Sequence, residues 1–157
     1  MESFEITLCS KQDFHYILNH ITTYWGSERT LALHHPLFIY EFGNSAFVIK
    51  HDEIVLAYIF GFIAQTSKTG YIHLVGVNTN YQNKGLGTLL YQHFIAFAKK
   101  EGCKKIKAIT TPTNTQSINF HKKIGMHLLG DVNEDGIPIV KNYSGPGLDK
   151  VVFEMVI

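Results

Sequence analysis

Two glycines, Gly85 and Gly87, open a long apolar-striped stretch, and the residues before them, 78–84, are polar. A helix that starts there leaves its first backbone N–H groups without partners, and its dipole adds positive potential at that end. Glycine has no Cβ, so an anion can come close to the main chain. The chemistry on offer is phosphate binding by main-chain amides. The dipole alone supplies about 0.3–1 kcal/mol, whereas hydrogen bonds to a charged group supply about 1.5–3 kcal/mol each, so loop shape should decide the binding. The triphosphate signature G-x-x-x-x-G-K-S/T is absent, and the dinucleotide fingerprint lacks its third glycine, whose place Leu90 takes. From the glycines alone, the segment either cradles a phosphate or merely starts a helix.

Histidines are the other chemical candidates. The chain has 9 of them, but no H-E-x-x-H or C-x-x-C spacing. Neighbours such as His34 and His35 point apart on a helix or a strand, so no metal site is expected. Cys9 and Cys103 suggest neither a disulfide framework nor a ligand pair. His73 and His121 sit inside regular-looking segments. Each is either a proton carrier near working pH or a core histidine satisfied by its neighbours.

These residues need elements to position them. Alternation over 4–8 predicts a strand, and Ser10 with Asp13 predicts the capped start of a helix running to Trp25 and Gly26. The stretch 31–42 is aromatic and irregular, broken by Pro36. Strands over 45–50 and 54–65 form a hairpin, and 71–78 is a further strand. A helix over 85–100 buries Leu86, Leu90 and Phe94 and stops at Gly102. A strand over 105–110, a short helix over 117–124, a short strand over 126–129 and a closing strand over 151–157 complete the order. The turn-rich segment 131–147 lies between the last two. This order predicts one mixed α/β sheet, in a single domain spanning 1–157.

Composition narrows the function classes. At 157 residues, 45% hydrophobic and 17% charged, the chain is neither disordered nor too small for its own core. A net charge of +1 offers no strong field for nucleic acid or an anionic membrane. No apolar run reaches the roughly 20 residues of a membrane helix. The start, Met1-Glu2-Ser3-Phe4, lacks a basic leader, so a cytoplasmic setting is expected.

Gln82-x-x-Gly85-x-Gly87 resembles the signature of the GNAT acetyltransferase superfamily: Gln or Arg, two residues, Gly, one residue, then Gly or Ala. It falls between the fourth strand and the next helix, as in that family. A second block, Asn114-x-x-Ser117-x-x-Phe120-His121-x-x-x-Gly125-Met126, is similar to the family's later motif at a typical offset. The resemblance is specific over about 71–129. It implies a twisted mixed sheet of about six to seven strands with helices on both faces. It also implies acetyl-CoA as acetyl donor. Backbone groups of Asn83, Lys84, Gly85, Leu86, Gly87 and Thr88 would hold the pyrophosphate, with Gln82 bracing the loop. Those of Val75 and Val77 would pair with the pantetheine, in a gap between this strand and the next. Asn114, Ser117 and Phe120 would line the thiol side, and Lys84, Lys122 or Lys123 could approach the 3′-phosphate.

An amine acceptor must be neutral to attack a thioester. At pH 7 that costs about 4–5 kcal/mol for a lysine-like amine of pKa near 10.4. Tyr71, His73, Val75 and Val77 share one strand face by period 2, and His73 is expected as base, directly or through water. His121 occupies the place of the family's acid tyrosine. It either donates a proton to the leaving thiolate or packs beside the pantetheine. For the acceptor, a small molecule or peptide, the resemblance points to Tyr24, Trp25, His34, His35, Phe38, Glu41 and Tyr143, an aromatic wall that with Glu41 would suit a cationic amine. Two other readings stay open: a non-catalytic acyl-CoA-binding module, and a protein whose 31–42 segment pairs two subunits as a homodimer.

Overall fold

The computed structural model describes residues 3–157. Met1 and Glu2, part of the leader argument above, lie outside the described residues. The chain begins with strand β1 (Ile6–Leu8), then α1 (Lys11–Asn19), α2 (Ile21–Trp25) and α3 (Leu37–Tyr40). Strands β2 (Ala46–His51), β3 (Ile54–Ala64) and β4 (Thr69–Val77) lead to α4 (Leu86–Lys100), β5 (Lys105–Thr110) and α5 (Thr115–Lys123). Short strands β6 (His127–Leu128), β7 (Asp131–Val132) and β8 (Pro138–Ile139) precede the closing β9 (Val151–Val156). A seven-stranded sheet runs in the order β1-β2-β3-β4-β5-β9-β6, and β7 with β8 makes a separate hairpin. All neighbouring pairs in the large sheet are antiparallel except β4 with β5, which is parallel.

Helices cover both faces. Phe14 and Ile17 of α1, Tyr24 of α2 and Phe38 of α3 pack on Val48, Tyr58, Phe60 and Leu74. Leu86, Leu90 and Phe94 of α4 and Ile118 of α5 pack on Ile49, Ile59, Ile72, Ile106 and Phe153 on the other side.

The predicted first helix is two helices. His20 Nδ1 hydrogen-bonds the Tyr16 carbonyl at 2.7 Å, the acceptor that a continued helix would give to the His20 N–H. The His20 amide donates to Ile17 instead, and the β-branched run Ile21-Thr22-Thr23 starts afresh. Ser10 caps α1 as expected: its hydroxyl accepts from Asp13 N at 3.0 Å, and Asp13 reaches back to Ser10 N at 2.9 Å.

Register decides what faces the site. Cross-strand partners between β3 and β4 run in step from Ala57↔Val77 to Phe60↔Leu74, then slip so that Gly61 faces Ile72. The extra residue is His73, a β-bulge. The bulge ends the simple alternation. Val75 and Val77 face the α4 side with Ile72, whereas Tyr71 and His73 face the α3 side, against Phe62 and Phe38. The expectation that these four residues share one face is therefore corrected.

Candidate active site

Strands β4 and β5 pair over a short stretch only: Gly70↔Ile106, Tyr71↔Lys107 and Ile72↔Ala108. Beyond Ile72 the two strands part, and His73 stands at the fork. The amide of Asn78 donates to Leu56 O of β3 at 2.8 Å. Peptide groups alternate along a strand, so those of Val75 and Val77 point away from β3 into the opening. Two strand residues thus offer main-chain donors and acceptors where no strand is paired.

The glycine turn lies at the wide end of this opening. Asn83 and Gly85 have positive φ, 62° and 79°, and Gly85 is the N-cap of α4 in the left-handed region. No side chain caps the helix. Among the described residues, the amides of Gly85, Leu86, Gly87 and Thr88 have no acceptor. The two glycines serve different ends. A Cβ on Gly85 would meet open space, so its requirement is the backbone angle. A Cβ on Gly87 would point inward, 3.4 Å from the Phe120 ring and 3.8 Å from Val77. These are ordinary van der Waals distances, and they lie on the side of α5 and β4. Phe120 of the second motif touches Gly87 of the first, so the two motifs are joined by packing.

Gln82 closes the turn in extended conformation, and its side chain forms no hydrogen bond to the loop it was expected to brace. Lys84 is exposed, 5.2 Å from the Tyr81 ring centroid. Asn114 is an N-cap: its Oδ1 accepts from Ser117 N at 3.1 Å.

His121 is buried and stacked on Phe153. Its Nδ1 donates to the Ser117 carbonyl at 2.7 Å, so Nε2 is the acceptor for the Tyr91 hydroxyl at 2.6 Å. Burial pushes its pKa down to about 4, with the Ser117 bond opposing. A neutral imidazole with both nitrogens engaged has no proton to give a thiolate. This geometry runs against the proton-donor expectation for His121: its contacts, to Ser117, Tyr91 and Phe153, tie α5 to α4 and to the sheet.

A cleft of about 590 Å³ opens on the α3 side of the fork. Its walls include Phe38, Phe42, Phe62, Tyr71, His73, Lys107 and Tyr143. His73 stacks on Phe38 with centroids 4.7 Å apart, and the Tyr71 hydroxyl lies 3.1 Å from its Nδ1. Burial holds the His73 imidazole below its ordinary value of 6.5, against a backbone hydrogen bond with Leu33. Burial likewise pushes the Tyr71 phenol up to about 12. Neutral imidazole and protonated phenol are thus the resting forms at pH 7.

Of the predicted acceptor residues, the cleft contains Phe38 and Tyr143. Trp25, His34 and His35 lie elsewhere. Trp25 Nε1 donates to the Tyr58 hydroxyl at 2.6 Å, that hydroxyl bonds His34 Nε2 at 2.7 Å, and His34 Nδ1 donates to Thr30 O at 2.8 Å. This chain ties the segment after α2 to the sheet under Gly76, whose Cβ would fall 2.5 Å from the Tyr58 ring. Trp25 and His34 are framework, and a buried hydroxyl on Tyr58 is the reason. His35 is exposed and its Nδ1 accepts from Leu37 N at 3.1 Å. Tyr24 donates to Val55 O, and Glu41 is exposed and is not among the cleft's lining residues. Sequence reasoning missed Phe42, Phe62 and Lys107. Lys107 carried no signal of its own, because it alternates with Lys105 in a half-exposed strand pattern, Lys-Ile-Lys-Ala-Ile-Thr.

The described residues contain no group of three His, Cys, Asp or Glu able to hold a metal, and no helix long and apolar enough to cross a membrane. Burial pushes the Cys9 thiol up to about 12, and the Cys103 thiol is also raised.

Residues 12–126 match the sequence profile of the Acetyltransferase (GNAT) family. The uncharacterized protein YdhI of Bacillus subtilis is 30% identical over 112 residues, 71% of this chain but just under two thirds, 66%, of its own length. A GNAT-family structure from Desulfovibrio desulfuricans superposes with a TM-score of 0.80 at 13% identity, covering 98% of this chain and 99% of that one. The PaiA N-acetyltransferase from Thermoplasma acidophilum, in complex with coenzyme A, gives a TM-score of 0.71 at 14% identity over 99% and 100% of the two chains.

Proposed function

Because the chain belongs to the acetyltransferase (GNAT) family, we propose that it moves an acetyl group from acetyl-CoA to a primary amine by direct attack. The observation that carries this reading is the fork beyond Ile72, where the free peptide groups of Val75 and Val77 lead to the open amides at the start of α4. The strand edge suits the pantetheine amides as an added strand would, and the amides of Gly85 to Thr88 suit the pyrophosphate. The lysines Lys84, Lys122 and Lys123 are exposed and free to reach an outer phosphate.

Acetyl-CoA supplies the thioester at the fork, and the amine enters from the cleft. Its nitrogen forms the new C–N bond as the C–S bond breaks. The proton it sheds passes to the Tyr71 hydroxyl as that hydroxyl hands its own proton to His73 Nδ1, 3.1 Å away. His73 is the terminal base because burial keeps it neutral at pH 7. The thiolate, with a conjugate pKa of about 8.5, leaves without an acid. Direct attack suits the two cysteines, whose raised pKa values make them poor nucleophiles for an acetyl relay.

The test has two readouts: binding of acetyl-CoA by calorimetry, and thiol release with a panel of amines. His73→Gln should lower turnover at pH 7 by roughly 10²–10⁴-fold while leaving acetyl-CoA affinity within about twofold. Binding without thiol release from any amine would favour the acyl-CoA-binding module, and absence of binding would remove both readings.

A further inference from the structure

We propose that the acceptor is an α-amino acid with an aromatic or branched apolar side chain, whose carboxylate pairs with Lys107 while its amine lies at Tyr71 and His73. This rests on the acetyl-transfer reading and deepens it, because it assigns chemistry to the cleft beside the fork.

Lys107 is the only charged side chain among the cleft's lining residues; the rest are apolar or aromatic apart from Ser67, Thr69 and His73. No carboxylate lines it. A site built for a polycationic amine would place acidic groups here, and this one places a cation. Lys107 forms no ion pair among the described residues. The carboxylate opposite it in the strand register, Glu154, is bonded to Lys105 at 2.8 Å. The Lys107 ammonium rests 5.0 Å from the Tyr143 ring centroid, half-buried at the cleft wall. A half-buried cation that forms no ion pair, at the wall of a cleft, offers a site for an anion.

Spacing fits the pairing. Tyr71 and Lys107 are register partners in β4 and β5, and His73 follows two residues beyond Tyr71. Strand separation and rise put the His73 and Lys107 backbones about 8 Å apart. The two side chains converge on the same face, so an amine and a carboxylate joined through one carbon can meet both. The aromatic walls, Phe38, Phe42 and Phe62, then take the side chain; Phe42 and Phe62 stack with centroids 4.9 Å apart. The volume of about 590 Å³ is of small-ligand size. A peptide N-terminus carries an amide where the free amino acid carries its carboxylate, so it would leave Lys107 unpaired.

The experiment compares L-phenylalanine with L-phenylalaninamide as acceptors, using the full chain, saturating acetyl-CoA and thiol release as readout. In Lys107→Gln the KM for phenylalanine should rise tenfold or more, the KM for the amide should change less than twofold, and Lys107→Arg should restore most of the loss. Acetyl-CoA affinity and thermal midpoint are measured on each variant. Equal effects of Lys107→Gln on both acceptors, or transfer to the amide alone, would overturn the carboxylate assignment while leaving acetyl transfer in place. Failure of the unsubstituted chain to bind acetyl-CoA would overturn both.

Discussion

At the scale of single residues, three histidines, in a loop, a strand and a helix, have three different duties. His34 closes a buried chain of hydrogen bonds, His121 links α5 to α4, and His73 faces a cleft. Nothing in residue type separates them; partners do, and partners come from other parts of the chain. His121 also carries a stability consequence with a definite sign. Its folded pKa, about 4, lies below the ordinary 6.5. Between those values the unfolded chain binds a proton that the folded chain refuses, so folding is weakened as pH falls from 6.5 toward 4. From pH 7 to pH 5 this amounts to about 2 kcal/mol, and His34, also lowered, adds in the same direction. Urea midpoints at the two pH values should show this loss, and His121→Gln, although less stable at pH 7, should show a smaller difference. An equal pH difference in the variant would mean that His121 is protonated in the folded state. His73 has the same direction of shift, and its acid limb belongs to activity: turnover should fall as pH drops through a midpoint below 6.5.

At the scale of elements, the turn into α4 depends on one backbone angle and the sheet beneath it on one missing Cβ. Gly85 has φ 79° with open space around its Cβ position, so strain alone opposes a substitution. Gly85→Ala should cost about 1 kcal/mol of stability, and Gly85→Asn less, since asparagine tolerates the left-handed region. Thermal unfolding of the pair measures the order; equal losses would locate the constraint in space instead. Gly76→Ala is the contrasting case. Its Cβ would fall 2.5 Å from the ring of Tyr58, which is fully buried and held by Trp25 and His34. The expected loss is about 1–3 kcal/mol from overpacking, read as a lowered urea midpoint. The elements themselves were largely legible in the sequence, because burial on one face writes periodicity: the α4 stripe, the hairpin of β2 and β3, and the closing strand all fall within a residue or two of their predicted bounds. The break at His20 and the bulge at His73 were not legible. Each arises from a competition decided by a few hydrogen bonds and leaves the apolar pattern unchanged. The bulge matters more, because one inserted residue moved His73 and Val75 to opposite faces and so separated the cleft from the strand edge.

At the scale of the whole molecule, the fork between β4 and β5 is the feature that makes a site out of a sheet. Parallel pairing stops after three register pairs, and the strand edge left over is continuous with the amides at the start of α4. A sheet normally guards such an edge by covering or shortening it. Here the edge at Val75 and Val77 is partly exposed and unpaired, which suits a ligand backbone laid along it. The motifs made the loop legible and the resemblance supplied the gap, whereas the cleft beside the fork, assembled from α3, β3, β4, β5 and the turn at Tyr143, has no sequence signature because its walls are distant in the chain. Cofactor binding should therefore appear as local protection on a fixed scaffold. With acetyl-CoA at 100 times its Kd, global stability should rise by about 2.7 kcal/mol. In hydrogen exchange, the amides of Val75, Val77 and Gly85 to Thr88 should slow beyond that global change. Those of Gly76 and Asn78 already point toward β3, and Asn78 donates to Leu56; they should follow only the global term. The alternating protection along one strand is the discriminating sign. Uniform slowing of 75–78 would mean that the gap closes onto β5 instead of admitting a ligand backbone.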